Sequence, residues 1–231
     1  MKKKVLITGT SQGIGRAIAK RFLMDDDFEV YGIDVQESTI ELEGKYHHHI
    51  ADIAIKESLP DFKFDFDVVI NNAGIQNGGD GRYKSTDDIN VNLRGTINVT
   101  EKYAFQPTIK SVLMIGSASA HTGSEFPEYC ASKGGMITYA KNVAIRLGNK
   151  YQATCNSLDL GGVTTELNKP VMENEACWNQ IMALTPLKRW MSPEEAADWA
   201  YFLTVTNKFC TGQNILVDGL EAGNAQFVWV D

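Results

Sequence analysis

Apolar runs that break at Gly, Asp or Asn recur along the chain at residues 5–8, 30–34, 68–71, 112–116, 153–158 and 215–218. Runs this short and continuous read as strands buried on both faces. Between them the period changes. Residues 14–24 place Ile14, Ile18, Phe22 and Leu23 on one helical face, and 128–147 and 85–105 carry the small and apolar residues of two further helices. Alternating strands and helices predict a doubly wound parallel sheet flanked by helices on both faces, with its ligand crevice at the carboxyl ends of the strands. Two irregular stretches, 74–88 and 161–190, read as loops bordering that crevice, because regular signals resume on either side of each.

Composition narrows the picture. The 231 residues are 43% hydrophobic with no compositional break, which predicts one domain over 1–231. Three lysines, Lys2 to Lys4, precede an apolar run too short for a signal peptide or a membrane span, so a cytoplasmic protein is expected. The net charge of −7, with no basic cluster, argues against nucleic acid and anionic membrane partners. Cys130, Cys155, Cys177 and Cys210 form no Cys-x-x-Cys pair and read as free thiols. His47, His48 and His49 lie in an extended segment, where successive side chains point to opposite faces, so they are not expected to converge on a metal ion. No metal site is expected.

Candidate chemistry begins after the first strand, at Thr8-Gly9-Thr10-Ser11-Gln12-Gly13-Ile14-Gly15. Glycines here allow a tight turn and bring a pyrophosphate close to the backbone N–H groups of a helix N-terminus. Asp34, about 20 residues beyond them at the end of the second strand, is suited to accept from the hydroxyls of an adenosine ribose. Val35 and Gln36 follow it, with no adjacent Arg or Lys to pair with a 2′-phosphate, so NAD is favoured over NADP. Arg16 is the one nearby base that softens this choice.

With Asn71-Asn72-Ala73-Gly74 and Tyr129-Cys130-Ala131-Ser132-Lys133 following in order, the whole chain resembles the short-chain dehydrogenase/reductase family, in its classical branch. The resemblance implies a single-domain Rossmann-type fold. It assigns cofactor contacts to Gly9, Ser11, Gln12, Gly13, Ile14 and Gly15, the adenine to Asp52 and Ile53, and a cleft wall to Asn72, Ala73 and Gly74. It also implies that Asn92 sustains a proton relay through a water, and that Ser117 is the catalytic serine rather than Ser119. Val163 and Thr165, after the sixth strand, are implied for carboxamide and phosphate contacts.

The residues themselves agree. Tyr129 and Lys133 at i and i+4 share one helical face. A free tyrosine near pKa 10 is a poor base at neutral pH, and an adjacent ammonium is expected to lower it. Lys133 is then expected both to tune Tyr129 and to bind the nicotinamide ribose, while Ser117 holds the substrate oxygen where charge develops.

Two positions depart from the family pattern. Leu160 stands where a proline is usual, which predicts a less rigid turn, and Leu220 stands where a second glycine is common. A lid over about 164–190 combines Leu167, Met172, Trp178, Ile181, Met182, Leu184 and Trp190 with Glu166, Glu173 and Glu175. Its only cations are Lys169, Lys188 and Arg189, a poor rim for an acidic carrier protein. The leading expectation is therefore NAD-dependent interconversion of a secondary alcohol and a ketone on a free small molecule, such as a hydroxy acid, polyol or sugar derivative. His121 and Glu125 are candidate polar contacts for it. The alternatives are a dinucleotide sensor without turnover and a 3-oxoacyl reductase. The apolar and small residues of helices 85–105 and 128–147 exceed what one sheet face covers, which predicts a homodimer or homotetramer.

Overall fold

The computed structural model describes residues 2–41, 44–77, 84 and 86–223. Its strands are β1 (Lys3–Thr8), β2 (Phe28–Asp34), β3 (Tyr46–Ile50), β4 (Val68–Asn71), β5 (Ser111–Ser117), β6 (Thr154–Leu160) and β7 (Asn214–Val217). They form one parallel sheet in the order β3-β2-β1-β4-β5-β6-β7. The order reverses direction between β1 and β4, and the crevice of a doubly wound sheet opens at that switch point.

The helices are α1 (Gly13–Leu23), α2 (Thr96–Tyr103), α3 (Ser119–Thr122), α4 (Pro127–Tyr151), α5 (Lys169–Met172), α6 (Glu175–Leu184) and α7 (Pro193–Tyr201). One sheet face, with Val5, Ile7, Val30, Ile70, Ile115 and Leu158, packs on Ile18 and Phe22 of α1 and Ala196, Ala197 and Ala200 of α7. The opposite face, with Leu6, Ile33, Val69, Val112, Met114 and Cys155, packs on Val99 of α2 and Met136, Ala140, Val143 and Leu147 of α4. Phe22 is fully buried and meets Phe28 edge to face at 5.0 Å, a burial that contributes roughly 1.5–3 kcal/mol.

Helix ends follow local chemistry. Pro127 opens α4, where its missing N–H costs nothing, and Ser192 caps α7 in a reciprocal capping box with Glu195. The sequence-predicted helix 85–105 is not uniform. Residues Ile89–Gly95 are π-helical before α2 begins, and Ser85 and 78–83 of the expected loop lie outside the described residues. The expected loop 161–190 also differs, since it folds into a short 3-10 turn (Glu166–Asn168), α5 and α6, with Asn174 capping α6 by accepting from the Cys177 N–H.

Leu160 lies in the sheet, ahead of the turn. This residue is the buried end of β6, in register with Ser117 on one side and Val217 on the other. Leu220 adopts φ +70°, directly after Gly219 at +65°, so a leucine holds a left-handed conformation that suits glycine.

The three histidines of β3 alternate. His48 bonds the Tyr46 hydroxyl and the Gln36 carbonyl on one face, while His47 and His49 lie over the Tyr31 ring on the other. Among the described residues, no cluster of three His, Cys, Asp or Glu is placed to hold a metal, and no helix is long and apolar enough to cross a membrane. All four cysteines are free.

Candidate active site

The turn after β1 is locked to the end of β4. Thr8 Oγ1 accepts from the N–H groups of Asn72 and Ala73 at 3.0 Å, and Asn72 Nδ2 donates to the carbonyls of Thr8 and Gly9 at 3.0 and 3.1 Å. Gly9 sits at φ +73°, and a Cβ on Gly15 would lie 2.0 Å from the Gly9 carbonyl oxygen. Close helix–strand approach therefore demands glycine at both positions. Ser11, Gln12, Gly13 and Ile14 complete the turn. Gln12 is the N-cap of α1 but makes no side-chain cap, which leaves the first N–H groups of the helix for another acceptor.

That acceptor comes from the far side of the cleft. Glu166 Oε2 accepts from the Gly13 N–H at 3.2 Å, and Glu166 Oε1 pairs with Arg16 Nη2 at 2.5 Å. A carboxylate bound by a helix N-terminus and a guanidinium marks an anion site, the donor set that a pyrophosphate needs. Thr165 lies over Gly13 and Val163 bridges to Met191, so both residues implied from the segment after β6 border the turn or the lid.

At the outer end of the cleft, Asp34 Oδ2 accepts from the Ser11 N–H and Oδ1 from the Gln36 N–H, both at 2.9 Å. A carboxylate offers about four acceptor positions, so roughly two remain for ribose hydroxyls. Asp52 accepts from the Ala54 N–H. Ile53 is buried against Gly95, with its carbonyl bonded to Asn98. The glycine turn, Asp34 and Asp52 have the chemistry to hold a dinucleotide once Glu166 gives up the Gly13 N–H.

At the inner end, β5 delivers Ser117 and the first turns of α4 deliver Tyr129 and Lys133. The Ser117 hydroxyl neighbours the Tyr129 phenol and accepts from the Ser119 N–H at 3.1 Å. Ser119 Oγ is buried without a partner. Lys133 Nζ lies 5.7 Å from the Tyr129 ring centroid and donates to the Ile115 carbonyl at 3.0 Å. A Cβ on Gly74 would stand 3.6 Å from that Nζ and 3.0 Å from Asn92 Oδ1.

Asn92, in the π-helical turn, clamps Ile75 through Oδ1 to its N–H and Nδ2 to its carbonyl, and Nδ2 also donates to Ser132 Oγ. One acceptor position of this amide is left for the relay that the resemblance implies.

Electrostatics differ from expectation in one respect. Burial pushes the Tyr129 phenol well above its usual value. The Ser117 hydroxyl pulls it down, and Glu125 and Asp88 add to the rise. Burial likewise lowers Lys133, to about 8, against an opposing pull from Asp159, Glu125 and Asp88. Desolvation thus dominates, and the expected lowering of the tyrosine by the lysine is not seen in the protein alone.

The lid is partly packing and partly surface. Trp178 and Trp190 meet edge to face at 5.0 Å, and a Cβ on Gly162 would overlap the Trp190 indole. Leu167 and Leu184 are exposed. The lid cations are all engaged: Lys169 with Glu173, Arg189 with Glu195, and Lys188 with the Met182 and Ala183 carbonyls at the end of α6. Glu125 accepts from Gln76, and His121 is bonded to Asp159. Sequence reasoning passed over Asp159 and the anion-like role of Glu166. A charged residue inside the otherwise apolar run of β6 was the available signal for the first.

Residues 9–219 match the family model described as enoyl-(acyl carrier protein) reductase. The chain is 30% identical over 240 residues to the 3-oxoacyl-[acyl-carrier-protein] reductase FabG of Buchnera aphidicola subsp. Acyrthosiphon pisum, covering 94% of this chain and 96% of the relative. It is 30% identical over 248 residues to an L-rhamnose 1-dehydrogenase (NAD(P)(+)) of Sphingomonas sp., covering 94% and 95%. Among solved structures, 4-hydroxyisoleucine dehydrogenase complexed with NADH superposes with a TM-score of 0.85 at 25% identity, over 94% of this chain and 98% of that one. With its glycine turn, Asn-Asn-Ala-Gly strand end and Tyr-x-x-x-Lys helix at one crevice, the chain belongs to the short-chain dehydrogenase/reductase family, oxidoreductases of alcohol and ketone substrates.

Proposed function

We propose that this single domain interconverts a secondary alcohol and a ketone on a free small molecule, with NAD(H) as cofactor and Tyr129 as general acid/base. The observation that carries the reading is the convergence of Tyr129 and Lys133, with Nζ 5.7 Å from the centre of the phenol ring, on the end of β5 where Ser117 stands. The cofactor supplies the hydride. In ketone reduction, the Tyr129 hydroxyl gives its proton to the substrate oxygen, and Ser117 hydrogen-bonds that oxygen as negative charge builds on it. In alcohol oxidation the same hydroxyls work in reverse. Lys133 presents its ammonium to the ribose hydroxyls, and Asn92 holds the wall segment at Ile75 in place while its remaining acceptor position serves the relay.

Asp34 supports NAD over NADP, since a second negative charge at the 2′ position would meet its carboxylate. Arg16, the one base that weakened this choice, is paired with Glu166. A free small molecule is favoured over a carrier-bound acyl chain, because every lid cation is committed within the lid or to its neighbour Glu195. The relative named for L-rhamnose supports a polyol or sugar derivative.

The test is a panel of neutral sugars, polyols, hydroxy acids and 3-oxoacyl thioesters scored for NAD(H) turnover, with Tyr129→Phe as control. Turnover on a small alcohol or ketone that Tyr129→Phe abolishes supports the reading. Tight NADH binding with no turnover on any member favours a sensor.

A further inference from the structure

Asp159 carries a carboxylate inside β6, where every residue is buried, and has no exposed surface of its own. Its Oδ2 is held by His121 Nε2 at 2.6 Å. Because a carboxylate only accepts, the imidazole donates through Nε2–H. The other oxygen, Oδ1, is buried with no hydrogen-bond partner. It lies against Gly116, the partner of Asp159 in the β5–β6 ladder, where an added Cβ would stand 1.9 Å away.

A buried carboxylate with a free oxygen is costly unless a cation faces it. Gly116 sits between Ser117 and Ile115, and the Ile115 carbonyl receives the Lys133 ammonium. The carboxylate and the ammonium therefore flank the same short length of β5. Lys133 is buried and bonded there to a neutral carbonyl. Three carboxylates favour its charged form: Asp159 most strongly, then Glu125 from the loop before α4 and Asp88 ahead of the π-helical turn. Glu221 in turn faces Glu125. Burial raises the Asp159 carboxyl above its usual range, and the His121 bond, with a smaller pull from the charge of Lys133, works back toward the ionised form.

We infer that Asp159, held by His121, is a positioning residue of the reaction centre, its carboxylate being the fixed counter-charge that keeps Lys133 an ammonium beside Tyr129. The inference rests on the assignment of Lys133 to the reaction proposed above. Glycine at 116 is part of the device, because it opens the space that the carboxylate fills. His121, about a third exposed, fixes the carboxylate from the solvent side.

The test needs no turnover, so its failure is separable from failure of the proposed activity. In protein labelled with ¹³C-lysine, the Cε resonance of Lys133, identified by its loss in Lys133→Met, is followed against pH. The wild type is expected to titrate near 8. Asp159→Asn and Asp159→Ser each lower that midpoint by about one pH unit or more, the effect of removing a unit charge at close range in a buried site. His121→Gln, which keeps a neutral donor and the carboxylate, shifts it by less than half as much. Conversely, Lys133→Met raises the pH at which ¹³C-labelled Asp159 Cγ titrates, a check that leaves position 159 untouched. An unmoved or raised Lys133 midpoint in a folded Asp159 variant would overturn the assignment. So would an equal shift in His121→Gln, or an unchanged Asp159 titration in Lys133→Met.

Discussion

The Glu166 carboxylate accepts from the N–H of Gly13, 153 residues away in sequence, and so ties the start of the lid to the N-terminus of α1. The same N–H is the one that a cofactor pyrophosphate requires. Glu166→Gln is therefore expected to tighten NADH binding by roughly three- to tenfold, the scale of a half-exposed charge interaction. Isothermal titration decides the point. Weaker binding in Glu166→Gln would mean that the carboxylate assists the cofactor instead of competing with it.

Asp34 holds the N–H groups of Ser11 and Gln36, and in the proposed function its carboxylate repels a 2′-phosphate. Wild-type protein is expected to bind NAD(H) at least roughly tenfold better than NADP(H), one unit of charge repulsion in a partly screened site. Asp34→Ala narrows the gap from both sides, since it also loses the two backbone hydrogen bonds and so weakens NAD(H) itself. Equal affinity of the wild type for both cofactors, by fluorescence quenching, would remove this assignment.

Tyr129→Phe is expected to lower turnover by roughly 10²- to 10⁴-fold with NADH affinity nearly unchanged, because the lost hydroxyl moves a proton without holding the dinucleotide. Ser117→Ala costs a similar factor through the substrate oxygen. Lys133→Met weakens both rate and cofactor binding. More than about a tenth of wild-type turnover surviving in Tyr129→Phe is outside that range and would point to a different acid.

Lys133 also predicts a pH signature in stability. Burial lowers its pKa in the fold to about 8 from the 10.5 of a free lysine, so above pH 8 the folded chain sheds a proton that the unfolded chain keeps. The unfolded state then binds more protons, and the contribution to stability rises with pH across that window. Urea melts of wild type and Lys133→Met are expected to show the wild type gaining about 1–3 kcal/mol relative to the variant between pH 8 and 10. Parallel curves would show that Lys133 is not desolvated.

Ile145 of α4 is exposed, as are Trp199 and Phe202 at the end of α7 and Phe209 beyond them. Trp199 and Phe202, with ring centroids 6.1 Å apart, form an exposed aromatic pair suited to cover by a second copy. Light scattering is expected to give a dimer or tetramer mass, and 25.5 kDa at micromolar concentration would mark a monomer.

The strands were legible because a parallel sheet buries both faces, which turns 68–71 or 112–116 into unbroken apolar runs. The glycine turn, the strand end at Asn71 and the Tyr129–Lys133 pair were legible because each is a local spacing. Helix α6 was not, since none of its residues is fully buried and its apolar face, Cys177, Trp178, Ile181 and Met182, is only half-covered. At Ile89–Gly95 the π turn breaks the 3.6-residue period that a helix reading depends on. Glu166 on Gly13 and His121 on Asp159 join distant segments, which no local pattern reports. Nor does spacing reveal whether burial or a neighbouring charge decides an ionisation, as at Tyr129.

The fit of Asp159 against Gly116 has an evolutionary consequence. Any side chain at 116 would displace the carboxylate, and at 159 an aspartate without that opening would have no room. The two positions are one heritable choice, open to single mutational steps only through the loss of the charge first. Descendants of this chain are expected to keep glycine and aspartate together or to abandon aspartate before glycine.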